Sequence, residues 1–213
     1  MKSLGRALGR LWFRIIWRWS VTRTLHGIRV AVFEPDNAAQ CFDRLDAALG
    51  LIARYDPTTF ESIRKHFAGV LVFGIERYRA AHWNENAHLC VITYVYVQSA
   101  TVRAEDVALT LVHENMHARL DGAGVEYKEG RRAPIEVLCA MAELAFARRL
   151  PLDRNLAQRV EGRVEEWARR GEESWSDRAK KAAKLEHLRQ LGTPRWIVAL
   201  VDQLLRIVYS RAA

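Results

Sequence analysis

The sequence predicts an α+β fold, with a small N-terminal sheet, a central helix that carries two histidines and a glutamate, and a mostly helical C-terminal half. Three observations predict it. Short β-branched and apolar runs bounded by turn residues lie between residues 27 and 98. A helix-forming stretch, LTLVHENMHARL at 109–120, sets two histidines and a glutamate among Leu109, Leu111, Val112, Met116 and Leu120. From Pro134 onward apolar residues recur at steps of three and four almost to the end of the chain.

With 213 residues, half of them hydrophobic, the chain can bury one core, so a single domain over 28–213 with an N-terminal appendage over 1–27 is expected. No run of 18 apolar residues exists, so no ordinary membrane-spanning helix is expected. Cys41, Cys90 and Cys139 are too few and too scattered for a disulfide framework and fit small core residues in a reducing, cytoplasmic setting. Seven of the eight net positive charges fall in the first 30 residues, which hold no Asp or Glu. The basic character therefore belongs to the arm and not to the body. A nucleic-acid partner is not expected, because the body is nearly neutral and no known nucleic-acid module appears.

The elements follow in order. In the arm, Leu4, Leu8, Leu11, Trp12, Ile15, Ile16 and Trp19 form one face, and Arg6, Arg10, Arg14 and Arg18 another. This is the pattern of a basic amphipathic helix. It suits an anionic membrane surface, met through residues 1–23, and equally a helix docked on the protein's own body. Arginines interrupt every apolar core that a secretory signal would need. GIRVAVFE, 27–34, reads as a strand. Residues 36–55 read as a helix capped by Asp36 or Asn37, with Leu45, Leu49 and Ile52 on one face. A short helix is expected over 58–67, and a strand over 69–75. The polar, aperiodic run 76–88 reads as a loop at the rim of a cleft. HLCVITYVYVQ, 88–98, is the strongest strand signal, either a central strand or one offering its edge to an extended peptide.

The helix carrying LTLVHENMHARL is expected to end at Asp121 and Gly122, with the glycine in the left-handed position. Four helices then follow, at 134–149, about 153–171, about 176–191 and 194–210. Their starts are marked by Pro134, Pro151 and Pro194, and their breaks by Gly171 and Gly192. The middle two are highly charged and read as solvated faces, whereas the last is apolar enough to pack on the core.

His113 and His117 lie four apart, so a helix puts both imidazoles on one face, close enough to share a metal ion. Glu114 points about 100° around the axis, where it can flank the metal without binding it. A neutral imidazole in an apolar wall needs a partner, since an unsatisfied buried polar group costs about 1–3 kcal/mol. A metal would satisfy both rings.

HENMH on an apolar helix, after strands and before a helical half, resembles the zincin metallopeptidases. The order of elements resembles them from about residue 28 to 150, but only the five-residue motif is specific. The resemblance implies zinc as cofactor, His113 and His117 as ligands, Glu114 as general base, and a peptide or protein substrate. Leu120 and Ala123 stand where the metzincin extension requires glycine and then histidine or aspartate, so that branch does not fit. The gluzincin branch takes a glutamate from a following helix. Glu136, nineteen residues after His117, matches that role. Glu143, two turns further on the same face, is the alternative ligand or an orienting partner for a histidine. Ala140 stands where gluzincins often have an aspartate, which departs from the pattern. Asp121 and Glu126 stand behind these candidates. Two imidazoles and a carboxylate leave a fourth position for water, and Glu114 is placed to take a proton from it. Tyr127, Arg131, Arg132 and His187 are candidate oxyanion donors. The expected function is zinc-dependent peptide hydrolysis. The alternative is a catalytically silent zincin-like protein that binds metal or peptide and is recruited to a membrane or partner through its basic arm.

Overall fold

A computed structural model describes residues 13–74, 80–151, 154–170, 176–190 and 192–210. The fold is α+β, with one five-stranded sheet and helices that dominate the C-terminal half.

Residues 13–19 form a helix, α1. The helix expected over 1–27 does not continue past it, and its residues 1–12 lie outside the described residues. Instead β1 (Val21–Leu25) pairs antiparallel with β2 (Ile28–Val32). The two-residue turn between them explains the change. His26 and Gly27 have φ of 49° and 81°, the paired positive values that match the twist of a hairpin. Val21, Thr22 and Thr24 supply the β-branched residues.

The strand order is β1-β2-β3-β5-β4, with β3 at Gly69–Val72, β4 at Ala81–Asn84 and β5 at Leu89–Ile92. β2, β3 and β5 run parallel, and the antiparallel β1 and β4 form the two edges. After a single 3-10 turn at Pro35–Asn37, α2 (Ala38–Tyr55) and α3 (Pro57–His66) make the crossover from β2 to β3. Asp56 caps α3 by accepting from the Thr59 backbone N–H at 3.1 Å. One sheet face, with Val30, Val32, Val70, Val72, Cys90 and Ile92, joins Leu45, Leu49 and Ile52 of α2 in the main core. The other face presents Ala31 and Leu71, which pack with Ile16 of α1. A β-carbon on Gly69 would lie 2.5 Å from the Trp17 ring and 2.8 Å from the Arg29 carbonyl, so this close approach requires glycine.

Two expectations for residues 76–98 change. β5 stops at Ile92 because its neighbours stop there: Val72 and Ala81 are both register partners of Ile92. The chain then turns into a short helix, α4 (Tyr94–Gln98), despite its β-branched and aromatic composition. Burial of Val97 and a 3.0 Å hydrogen bond from the Tyr96 hydroxyl to that of Thr110 fix this turn against the next helix. β5 is paired on both sides, so it offers no edge to a peptide. The edge on that side is β4, within the run expected to be a loop; residues 75–79 lie outside the described residues.

α5 (Ala104–Gly122) packs against α2, α3, β4, β5 and α6 (Arg132–Ala147). Its N-terminus is held by Asp106, which accepts from the Arg103 backbone N–H at 3.0 Å. Gly122 is its last helical residue, and the left-handed position falls at Gly124, with φ of 76°. There Val125 N–H closes on the Leu120 carbonyl at 2.9 Å. α7 (Arg154–Arg170) packs on α6. α8 (Asp177–Gln190) and α9 (Arg195–Ser210) pack on each other. Among the described residues the main core holds none from α9, and the main contact of that helix is with α8.

Candidate metal centre

The centre is built on one face of α5 and the facing stripe of α6. The four-residue step brings the His113 and His117 rings to a centroid separation of 5.0 Å. Their Nε2 atoms are 3.2 Å apart. Glu136 enters between them, with one carboxylate oxygen 3.3 Å from His113 Nε2 and the other 3.6 Å from His117 Nε2. Seven residues later on α6, Glu143 Oε1 lies 2.5 Å from His113 Nδ1. Glu136 thus meets both histidines and Glu143 meets the earlier one, so α6 runs back along α5.

These gaps test the fit of a metal. Zinc bound at about 2.0–2.2 Å in a tetrahedron sets its nitrogen and oxygen ligands roughly 3.3–3.5 Å apart. The two Nε2 atoms, 3.2 Å apart, and the Glu136 carboxylate, with Oε2 3.3 Å from one and Oε1 3.6 Å from the other, are spaced close to that edge length, so the group would fit around one ion. Glu143 accepts from Nδ1, so Nε2 is the nitrogen of His113 that would face an ion. A second observation points the same way. Glu114 is 5% exposed, and its Oε2 has no hydrogen-bond partner. A buried orphan carboxylate oxygen at the edge of a cleft is suited to a water or to a substrate proton.

The electrostatics of the cluster are coupled. Burial pulls the His113 imidazolium down, but the Glu136 and Glu143 carboxylates override it and hold its pKa at about 10. Burial raises Glu114 to about 7; His113 opposes this, Glu136 and Glu143 add to it, and a backbone hydrogen bond from Trp83 on β4 opposes it. Burial also works against ionised Glu136, but His113, His117 and the Tyr127 hydroxyl bring it down to about 2. Without metal, a proton on His113 does the neutralising work that a cation would do.

The remaining sequence candidates fall into two groups. The Tyr127 hydroxyl donates to Glu136 Oε1, and its ring stands edge-on to His117 at 5.3 Å. Tyr127 therefore lies in the cleft, engaged with a candidate ligand. Arg132 also lines the cleft, 2.6 Å from Asp177. Arg131 is exposed at the start of α6, and His187 lies on α8; neither is among the described residues lining the cleft. Asp121 accepts from the Trp83 indole N–H at 3.0 Å, which ties β4 to the end of α5. Glu126 is paired with Lys128 at 2.9 Å on the surface.

Sequence reasoning missed three participants. Arg163 of α7 donates to the second oxygen of Glu143, completing a chain from Arg163 through Glu143 to His113. Trp167 stands edge-on to the His113 ring at 5.9 Å. A signal for both existed: Leu156, Val160, Arg163 and Trp167 recur at steps of four, three and four, marking a buried stripe on a helix otherwise rich in charge. The third is Cys139, a fully buried free thiol one turn past Glu136. One donor atom from each of His113, His117 and Cys139 lies within 4.8 Å of the others. Burial and the Glu136, Glu114 and Glu143 carboxylates all push that thiol up, so it is protonated when no metal is present.

The centre opens into a cleft of about 790 Å³, with β4 along one wall and α7 and α8 along another. No protein-family model, characterised protein or solved structure matches the chain.

Proposed function

We propose that the chain is a zinc-dependent peptide hydrolase of gluzincin-like type, with His113, His117 and Glu136 as ligands and Glu114 as general base. The observation that carries this reading is the convergence of two imidazole Nε2 atoms, 3.2 Å apart, with a carboxylate whose two oxygens lie 3.3 and 3.6 Å from them, close to the spacing a tetrahedral zinc site needs. When bound, zinc supplies Lewis-acid polarisation of a carbonyl and acidifies water toward neutral pH. Glu114, buried beside the ligands with one oxygen unpaired, takes the proton from the attacking water and returns it to the leaving amine. Glu143 and Arg163 fix the His113 tautomer and ring direction. Tyr127 orients Glu136 through its hydroxyl. The outer edge of β4 is suited to an extended peptide by strand addition.

Incubating the zinc-loaded chain with a peptide library tests this. The reading expects turnover that falls about 10²–10⁴-fold in Glu114→Gln while bound zinc is unchanged. Equal turnover in both proteins, or none in either, counts against it.

A second reading is favoured by Cys139. A thiolate beside both histidines would complete a four-donor set and give a closed, catalytically silent metal site. Cobalt substitution separates the two readings. A sulfur-to-cobalt charge-transfer band that disappears in Cys139→Ser supports the closed site, and its absence supports the open one.

A further inference from the structure

We propose that α1 and the groove beside it seat the protein on an anionic phospholipid surface. α1 has two outward stripes. Ile15 and Trp19, one turn apart, are 45% and 76% exposed, while Ile16 turns inward onto Ala31 and Leu71. Arg14 and Arg18, also one turn apart, form the neighbouring exposed stripe. An apolar ridge that includes a tryptophan, flanked by guanidinium groups, is the arrangement by which a helix lies in a membrane interface.

The groove adds a place for headgroups. It holds about 770 Å³ and is lined by Arg14, Arg18, Arg29, Trp17 and Leu89 among others. Arg29 lies over the Trp17 ring at 4.9 Å, so its side chain is steered by the groove wall. No carboxylate is among the described residues lining the groove. Apolar exposure alone would suit a protein partner equally well. The charge decides between them: the first 30 residues carry seven cations and no acid, a bias that selects an anionic lipid surface. No described helix is long and apolar enough to cross a membrane. Asn86, in the turn between β4 and β5, lines both this groove and the metal cleft, so docking would bring the bilayer beside the cleft mouth. The inference does not depend on the hydrolase reading.

Co-sedimentation of the full chain with vesicles tests it. One set is phosphatidylcholine alone; the other is one-third phosphatidylserine. Binding is expected to the second set and not the first, and to weaken as salt rises. Trp19→Glu should lower partitioning at least tenfold, and Arg14→Gln with Arg18→Gln roughly thirtyfold. Trp196→Ala, which removes an exposed tryptophan from α9, should change nothing. All four side chains are exposed, so melting curves should match the unaltered chain. The proposal is overturned by equal binding to both vesicle sets, by no binding to either, by binding that survives Trp19→Glu, or by a Trp19-dependent dimer without lipid affinity.

Discussion

Two helix pairs near the cleft handle burial in opposite ways. Between α5 and α6 the chain buries His113, Glu114, Glu136 and Glu143. Between α8 and α9 it leaves Trp196 and Leu200 exposed, at 69% and 50%, and joins the helices through a part-exposed pair, Lys181 and Asp202, 2.6 Å apart. Burying charge is unfavourable unless each group is paired. In the first pair, Glu136 and Glu143 are engaged by two imidazoles, Arg163 and the Tyr127 hydroxyl, and one oxygen of Glu114 is still left over. A helix pair serving stability alone would do better with leucines there. The contrast sets the polar α5–α6 pair apart from the α8–α9 pair and is what the hydrolase proposal draws on.

That comparison can be broken in graded steps. The largest expected effect is on the reverse face of α5. Leu111→Ala should destabilise the chain by about 2–5 kcal/mol, because Leu111 is fully buried in the main core. Leu200→Ala on α9 should stay within about 0.5 kcal/mol. Chemical denaturation measures both, and similar values would erase the contrast. Next comes the support of the metal. Glu143→Gln should weaken zinc binding about 10–100-fold by loosening His113, measured by competition with a chelator. An unchanged affinity would make the Arg163–Glu143–His113 chain merely structural.

A third break is the pH dependence of the metal-free chain. The folded pKa of His113, about 10, stands above its ordinary 6.5. Its stabilising contribution is therefore complete below about pH 6.5 and is lost as pH rises through about 10. Glu114 acts in the same direction over a lower window, between 4.5 and about 7. Glu136, with its folded pKa lowered to about 2, contributes above pH 4.5 and loses that contribution only in strong acid. The melting temperature in chelator should thus fall between pH 6.5 and 10, and zinc should flatten the fall by displacing the His113 proton. A metal-free melting temperature that climbs over this range would contradict the charge arrangement.

Sequence pattern revealed what local periodicity controls. The buried stripe of α2, the HENMH face and the seven-residue step from Glu136 to Glu143 are set by helical geometry alone. What it hid depends on partners distant in sequence. β4 is polar and becomes a strand because β5 offers it hydrogen bonds. Tyr94–Gln98 has strand-like composition but lies past the ends of the strands that pair with β5, and it turns into a helix. The end of the basic arm is drawn into the sheet by a two-residue turn whose His-Gly sequence is an uncommon hairpin signal. Arg163 and Cys139 acquire their significance only when α7 and α6 close on α5.

The central claim is that His113, His117 and Glu136 hold one divalent ion, and metal analysis of the purified full chain tests it most directly. After zinc loading and removal of excess, close to one zinc per chain is expected, with near-complete loss in His113→Ala and a large loss in Glu136→Gln. An unaltered chain that retains no zinc, or a His113→Ala variant that retains all of it, would contradict the account.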